Sequence, residues 1–301
     1  MPRYTVSVII TSYNQKSYLV EAIDSVLAQT SKPHEIIVAD DRSSDGSAEV
    51  IKAYAERYPG LVRGIYQERN VGISQNRNTA LRAATGSHVA ILDGDDRYLP
   101  HNLGLQLAAL TEHPGARCAY SNLYFIDSTG TRIRTRDVTV QPSGDILSYV
   151  AAGQMGLLRS MLIPYDLIEA AGFLDPRFPK HDGFILTLHL AKMAQFAYVP
   201  EPLAEYRVHE EGDSKSFSAR ARLGYLEGVY SEVIRLTQHL PPRELRRIKT
   251  AWHLRLLHRS MNADLEERRR VRAWFRALAG LIRHPRSIRE LLRLAFRHPV
   301  F

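Results

Sequence analysis

The sequence predicts an α/β protein: a mixed, mostly parallel sheet flanked by helices, followed by a helical C-terminal extension. Three observations carry that prediction. Short apolar runs rich in β-branched residues alternate with stretches of helical periodicity through roughly the first 120 residues. Polar, carboxylate-bearing stretches fall where the apolar runs end. Beyond about residue 218 the pattern becomes almost wholly helical and Arg-rich.

The elements follow in order. "TVSVII" (5–10), "EIIVAD" (35–40), "LVRGIY" (61–66) and "HVAILD" (88–93) are apolar runs of strand length. The first is too short for the apolar core of a signal peptide and reads as a buried strand. Leu19, Ile23, Val26 and Leu27 share one helical face, and "SAEVIKAYAERY" (47–58) and "ISQNRNTALRAA" (73–84) are further helical patterns, the last stopped by Gly86. Strand–helix–strand repetition at this spacing implies parallel strands covered on both faces, with ligands beyond their carboxyl ends. From about 117, "RCAYSNLYFID" and "TRIRTR" read as strands joined through a Ser-Thr-Gly turn. After a loop around "VQPSGD", "GLLRSMLI" reads as a strand, "HDGFILTLHLAKM" (181–193) as a helix and "FAYVPEPLAEYRVH" as extended chain. The expected organisation is a catalytic domain over 1–217, with halves 1–116 and 117–217, and an extension over 218–301.

The ends of the strands point to the chemistry. A dinucleotide site needs glycines after the first strand, but that strand runs into "TSYNQKSYL", and neither GxGxxG nor a P-loop motif occurs. Carboxylates are present instead: "HVAILDGDDRYLP" crowds Asp93, Asp95 and Asp96 together, and "DDRSSDG" lies at another strand end. A hard divalent cation, Mg²⁺ or Mn²⁺, is held by one or two carboxylates with water and substrate phosphates completing its shell. A solvated Asp-Gly turn also produces such a triplet, and its position after a fourth buried strand favours the metal.

These motifs carry a resemblance. "VSVIITSYNQKSYLVEAIDSVLAQT", "HEIIVADDRSSDGSAEVI", "NVGISQNRNTAL", "LDGDDRYLP", "GFLDPRFPKHDGFILTLHLAK" and "YVPEPLAEYRVHEEGDS" are similar, in order, to the motifs of the family-2 glycosyltransferases, over about residues 4 to 216. The resemblance implies the GT-A fold, a nucleotide-diphosphosugar donor that is typically UDP-linked, and a divalent metal. It implies that Thr11 and Tyr13 line the base pocket, Asp41 accepts the base imide hydrogen and Arg77 approaches the base or diphosphate. Asp93 would address the ribose or sugar, Asp95 the metal, and His209 the metal or diphosphate. Asp182 takes the place of the base that deprotonates the acceptor hydroxyl, although the acidic residue usual before it is here His181. An aspartate in that place also suits a helix N-cap. A base without a nucleophile implies single displacement with inversion.

Composition bounds the rest. Of 301 residues 45% are hydrophobic, so a sizeable core can form, and no apolar run reaches the length of a membrane span. One cysteine, Cys118, excludes an internal disulfide framework and suits a reducing, cytoplasmic compartment. The net charge of +8 attracts anionic partners. Much of that charge lies late in the chain, where Val271, Trp274, Phe275 and Leu278, then Ile288, Leu291 and Leu292, form apolar stripes among many arginines. Such helices suit the anionic inner face of a membrane; they equally suit packing on the catalytic domain or in a homodimer, with the arginines in water. No recognition motif accompanies the charge, so nucleic acid is not an expected partner. The expected function is sugar transfer to a glycan or lipid-linked acceptor in surface polysaccharide synthesis. The alternative is a sugar-nucleotide-binding protein or scaffold on the same fold, without transfer.

Overall fold

Apolar runs without polar alternation call for strands buried on both faces, and the central strands are so placed. The computed structural model describes residues 4–135, 141–153, 160–209 and 219–266. Within it β1 (Val6–Ser12), β2 (Glu35–Asp40) and β4 (His88–Asp93) are buried along their whole lengths, while β3 (Val62–Tyr66) lies at the sheet edge and buries only its first residue fully. These four pair in parallel in the order β3-β2-β1-β4. The chain winds outward from β1 to β3 and then returns to the other side of β1. That reversal opens a crevice at the carboxyl ends of β1 and β4, where open sheets bind ligands.

Helix α1 (Lys16–Leu27) buries Leu19, Ala22, Ile23 and Val26, an i, i+3, i+4, i+7 stripe, against Val8, Ile10, Ile36 and Val38. Helix α2 (Ser47–Arg57) adds Ile51 to the same cluster. Helix α3 (Ile73–Arg82) differs: beside Ala80 and Leu81 it buries Ser74, Asn76, Arg77 and Asn78. Buried polar groups need partners. Asn76 Nδ2 donates to the Ala39 carbonyl at 2.9 Å, and Asn78 exchanges two hydrogen bonds with the backbone of Leu174.

The sheet continues through β8 (Met161–Pro164), β6 (Ala116–Ile126), β9 (Gln195–Arg207) and β5 (Arg97–Tyr98), with β7 (Arg132–Thr135) on the side of β6. β8 is antiparallel to β4 and β6, whereas β6 and β9 are parallel, so the sheet is mixed as the sequence predicts. The Ser-Thr-Gly turn joins β6 to β7, with Asp127 Oδ1 accepting the amides of Thr129 and Thr131. Helix α7 (Asp182–Met193) is buried along most of its length.

Four elements have no counterpart in the sequence reading: β5, α4 (Asn102–Glu112), α5 (Leu147–Ala151) and α6 (Tyr165–Ala171). β5 is two residues long and exists through pairing with Glu205 and Ala204, more than a hundred positions away. In α4 the apolar stripe is interrupted by buried Asn102 and Gln106, which bond the Leu203 carbonyl and each other.

The chain divides into two compact units, Met1–Ile146 with Gly156–Gly212, and Leu147–Met155 with Asp213–Phe301. In the second, α8 (Ala219–Thr237) and α9 (Pro242–Glu266) pack on one another. Where the sequence expectation drew one boundary at 217/218, residues 147–155 join this unit as well. The reason is polar: Trp252 Nε1 donates to the Ala151 carbonyl at 2.7 Å, and Arg255 to that of Gly153 at 3.1 Å. No helix among the described residues is long and apolar enough to cross a membrane. The Arg-rich stripes from Val271 onward lie outside the described residues.

Candidate active site

The acidic triplet begins where β4 ends. Thr11 stands opposite Asp93 in the β1–β4 ladder, and the Gly94 amide donates to the Thr11 carbonyl at 2.9 Å. A Cβ on Gly94 would meet that carbonyl at 2.8 Å, so only glycine lets the chain turn between Asp93 and Asp95 this close to β1. The turn brings carboxylate oxygens of Asp93, Asp95 and Asp96 within 4.8 Å of one another.

Three carboxylates so close repel unless each is answered. Asp96, buried, accepts the Arg207 amide at 2.8 Å. Asp93 pairs with Arg77 Nη2. Asp95 Oδ2 lies 3.0 Å from His209 Nε2, whose ring tilts against Tyr18. One imidazole nitrogen beside a carboxylate, with further carboxylate oxygens near, is a donor set that Mn²⁺ or Mg²⁺ fits. Asp95 and His209 are the residues that would hold the ion.

Arg77 joins the triplet to Asp182 at the start of α7. Its Nη1 lies 3.1 and 3.0 Å from the two oxygens of Asp182, while its Nη2 serves Asp93. Side-chain exposure is 7% for Arg77, 13% for Asp93 and 5% for Asp182. This buried arrangement is strong because the guanidinium fork reaches both carboxylates and Ser74 Oγ donates to Asp182 Oδ2 at 2.8 Å. Asp182 is the first residue of α7, after His181 at the cap position, and its Oδ1 also accepts the Gly183 amide at 2.7 Å. It therefore satisfies a helix-terminal N–H and faces Arg77 at once.

Just past β2, Asp41 accepts the amides of Val71 at 2.7 Å and Gly72 at 2.9 Å, one on each oxygen, and so fixes the start of α3. Each oxygen keeps a second lone pair for a ligand. The Asp41 amide donates to the Ser12 carbonyl, which seats the residue against the end of β1. Thr11 is buried, whereas the Tyr13 ring is 50% exposed and available as a stacking face. All eight predicted site residues belong to the first unit. Two groups stand out within it: Asp93, Arg77 and Asp182 form one bonded chain, and Asp95 pairs with His209.

The profile of glycosyl transferase family 2 matches residues 7–161. This chain belongs to that family. The family-2 chain is 30% identical over 237 residues to a Bacillus subtilis protein named as a teichuronic acid biosynthesis glycosyltransferase, TuaG, covering 77% of this chain and 89% of that one. A Mycobacterium tuberculosis relative is 31% identical over 217 residues, 68% of this chain and 59% of the relative, so the match spans less than two thirds of that protein. Among solved structures, Staphylococcus aureus TarS (1–349) in complex with UDP-GlcNAc superposes with a TM-score of 0.62 at 14% identity, covering 93% of this chain and 92% of that one. At that identity the likeness speaks for the fold.

Two residues of this family-2 site escaped the sequence reading. Ser74 sits three positions before Arg77, so on a helix the two share a face; that spacing was the available signal. Arg207, two residues before His209, has a fully buried side chain. It donates to the carbonyls of Asp95, Asp127 and Ser128, pairs with Glu21 at 2.8 Å and lies over the Tyr18 ring. It thereby ties the acidic turn to the β6–β7 turn.

Proposed function

We propose that this chain is a metal-dependent, inverting glycosyltransferase that moves a sugar from a UDP-linked donor to a glycan or lipid-linked acceptor in surface polysaccharide synthesis. The observation that carries the proposal is the bonded chain Asp93–Arg77–Asp182 beginning within 4.8 Å of the Asp95 carboxylate. It brings a donor-side carboxylate, a guanidinium and a candidate base together in the crevice. The name of TuaG and the UDP-GlcNAc bound by TarS support the surface-glycan acceptor and the UDP-sugar donor.

The reaction is a single displacement. The acceptor hydroxyl oxygen bonds to the anomeric carbon, the bond from that carbon to the diphosphate breaks, and UDP leaves with the electron pair. The hydroxyl proton passes to Asp182. Attack opposite the leaving group inverts the configuration, so an α-linked donor gives a β-linked product. Since Arg77 bridges both oxygens of Asp182, base action requires that guanidinium to turn toward the diphosphate, which is the more highly charged acceptor. Held by Asp95 and His209, a divalent cation would supply positive charge against the negative charge developing on UDP. Thr11, Tyr13 and Asp41 bind the nucleotide, and Asp93 orients the ribose or sugar. The single cysteine and the basic residues after 265 support work at the cytoplasmic face of the membrane.

The test is a screen of UDP-, GDP- and dTDP-linked sugars with Mn²⁺, scoring protection against thermal unfolding and nucleotide release. Protection by a UDP-sugar together with UDP release is the expected result. Protection without release in the presence of any glycan or lipid-linked acceptor would favour a sugar-nucleotide-binding protein, and no protection by any donor would reject the proposal.

A further inference from the structure

We propose that Arg42 reads the pyrimidine edge of the donor nucleotide and selects uracil over cytosine. This rests on the UDP-sugar reading above and adds a specificity-determining residue to it.

Arg42 occupies the left-handed region at φ 66°, a conformation that side-chain-bearing residues seldom adopt and that glycine adopts freely. Its neighbours hold it there. The Ser43 amide donates to Asp40 Oδ2 at 3.0 Å, and the Asp41 amide to the Ser12 carbonyl at 2.9 Å. Across the crevice end, the Asn14 amide donates to Ser43 Oγ at 2.9 Å, and the Ser44 amide to Asn14 Oδ1 at 2.8 Å. The loops after β1 and β2 are thus bonded to one another. Tyr13 immediately precedes one member of the Asn14–Ser43 bond, and Arg42 immediately precedes the other.

Arg42 is exposed, with no hydrogen bond or ion pair among the described residues. A left-handed backbone that carries an unpartnered guanidinium, next in sequence to the carboxylate that the proposed function assigns to the base, is arranged for something outside the protein. The ligand chemistry follows from the two adjacent groups. Asp41 only accepts hydrogen bonds and Arg42 only donates them. Uracil presents an N–H donor at N3 beside a carbonyl acceptor at C4, which complements that pair. Cytosine presents the reverse, a bare N3 acceptor beside an amino donor. Against cytosine both protein groups would be left facing groups of their own kind.

The test measures the affinities of UDP and CDP, with Mn²⁺, by calorimetry for the wild-type chain and for Arg42→Gly. Glycine suits the left-handed backbone, so the variant should fold with a Tm at or above wild type, which shows that any binding change is not unfolding. Wild type should prefer UDP. In the variant UDP affinity should fall about tenfold or more while CDP affinity barely moves, so that the preference collapses. Equal losses for UDP and CDP would place Arg42 on the phosphates or ribose and overturn the inference, as would an unchanged UDP preference in the variant or no preference in wild type. Each of those outcomes leaves the donor reading standing, whereas a wild-type chain that binds neither nucleotide overturns both.

Discussion

At the scale of single residues, the proposed mechanism divides the work between Asp95 and Asp182, and their substitutions should separate binding from chemistry. Asp95→Ala removes one of very few protein ligands to the cation, leaving His209 without the carboxylate 3.0 Å away. Mn²⁺-dependent UDP affinity should be lost; calorimetry that finds it unchanged takes Asp95 out of the metal site. Asp182→Asn keeps the size and removes the proton acceptor. UDP-sugar and Mn²⁺ should still bind near wild-type affinity while transfer falls by roughly 10²–10⁴-fold. The same change also unbalances buried Arg77, so stability should fall by a few kcal/mol, about 3 on typical values for half-broken buried pairs. Turnover near wild type would remove Asp182 from the mechanism. Loss of donor binding with turnover would make it a structural group of α7 and Arg77. The aspartates and Arg77 are legible in the sequence because their types and order are distinctive. That Arg77 spans Asp93 and Asp182 is not, because those partners lie 16 and 105 positions away.

At the scale of elements, the first residue of β4 gives the sheet a pH dependence. His88 is buried at the opposite end of the strand from Asp93, with its ring edge against Tyr4 and Nδ1 3.1 Å from Ser87 Oγ. Burial lowers its pKa to about 4, with the nearby charges of Asp166 and Arg117 opposing one another. The folded chain therefore keeps His88 neutral where the unfolded chain, with an ordinary histidine pKa near 6.5, protonates it. Stability from this site is full above pH 6.5 or so and is lost as pH falls toward 4, by on the order of 2 kcal/mol after allowing for solvent screening. In urea titrations His88→Leu should flatten the decline in stability between those pH values. A variant whose midpoint falls as steeply as wild type assigns the decline to other groups. The elements that the sequence predicts well are the ones with a single period, β1, β2, β4 and α1. Helix α4 and strand β5 are obscure in sequence because buried Asn102 and Gln106 break the helical stripe, and because two residues become a strand only by pairing with β9.

At the scale of the whole molecule, the charge distribution leads to a prediction about location. The net charge of +8 is concentrated late in the chain, where arginines surround apolar stripes after residue 265. Removing that stretch should abolish co-sedimentation with anionic liposomes while donor hydrolysis by the first unit persists, and added salt should weaken the full-length interaction. A full-length chain that stays in solution with such liposomes at low salt would assign the stripes to protein packing or to a dimer.

The sequence by itself determined the alternating sheet-and-helix plan, the strand-end position of the acidic triplet and the family. Each of these depends on residue type, period and order, which are local properties. Tertiary structure alone decided which charges meet. Asp93, Asp95 and Asp96 look equivalent on paper, yet Arg77 answers the first, His209 the second and the Arg207 amide the third. It also decided that residues 147–153 pack with the C-terminal helices, through Trp252 and Arg255. Such choices are made by the desolvation of polar groups, which forces each buried charge and N–H to find a partner in space, however distant in sequence.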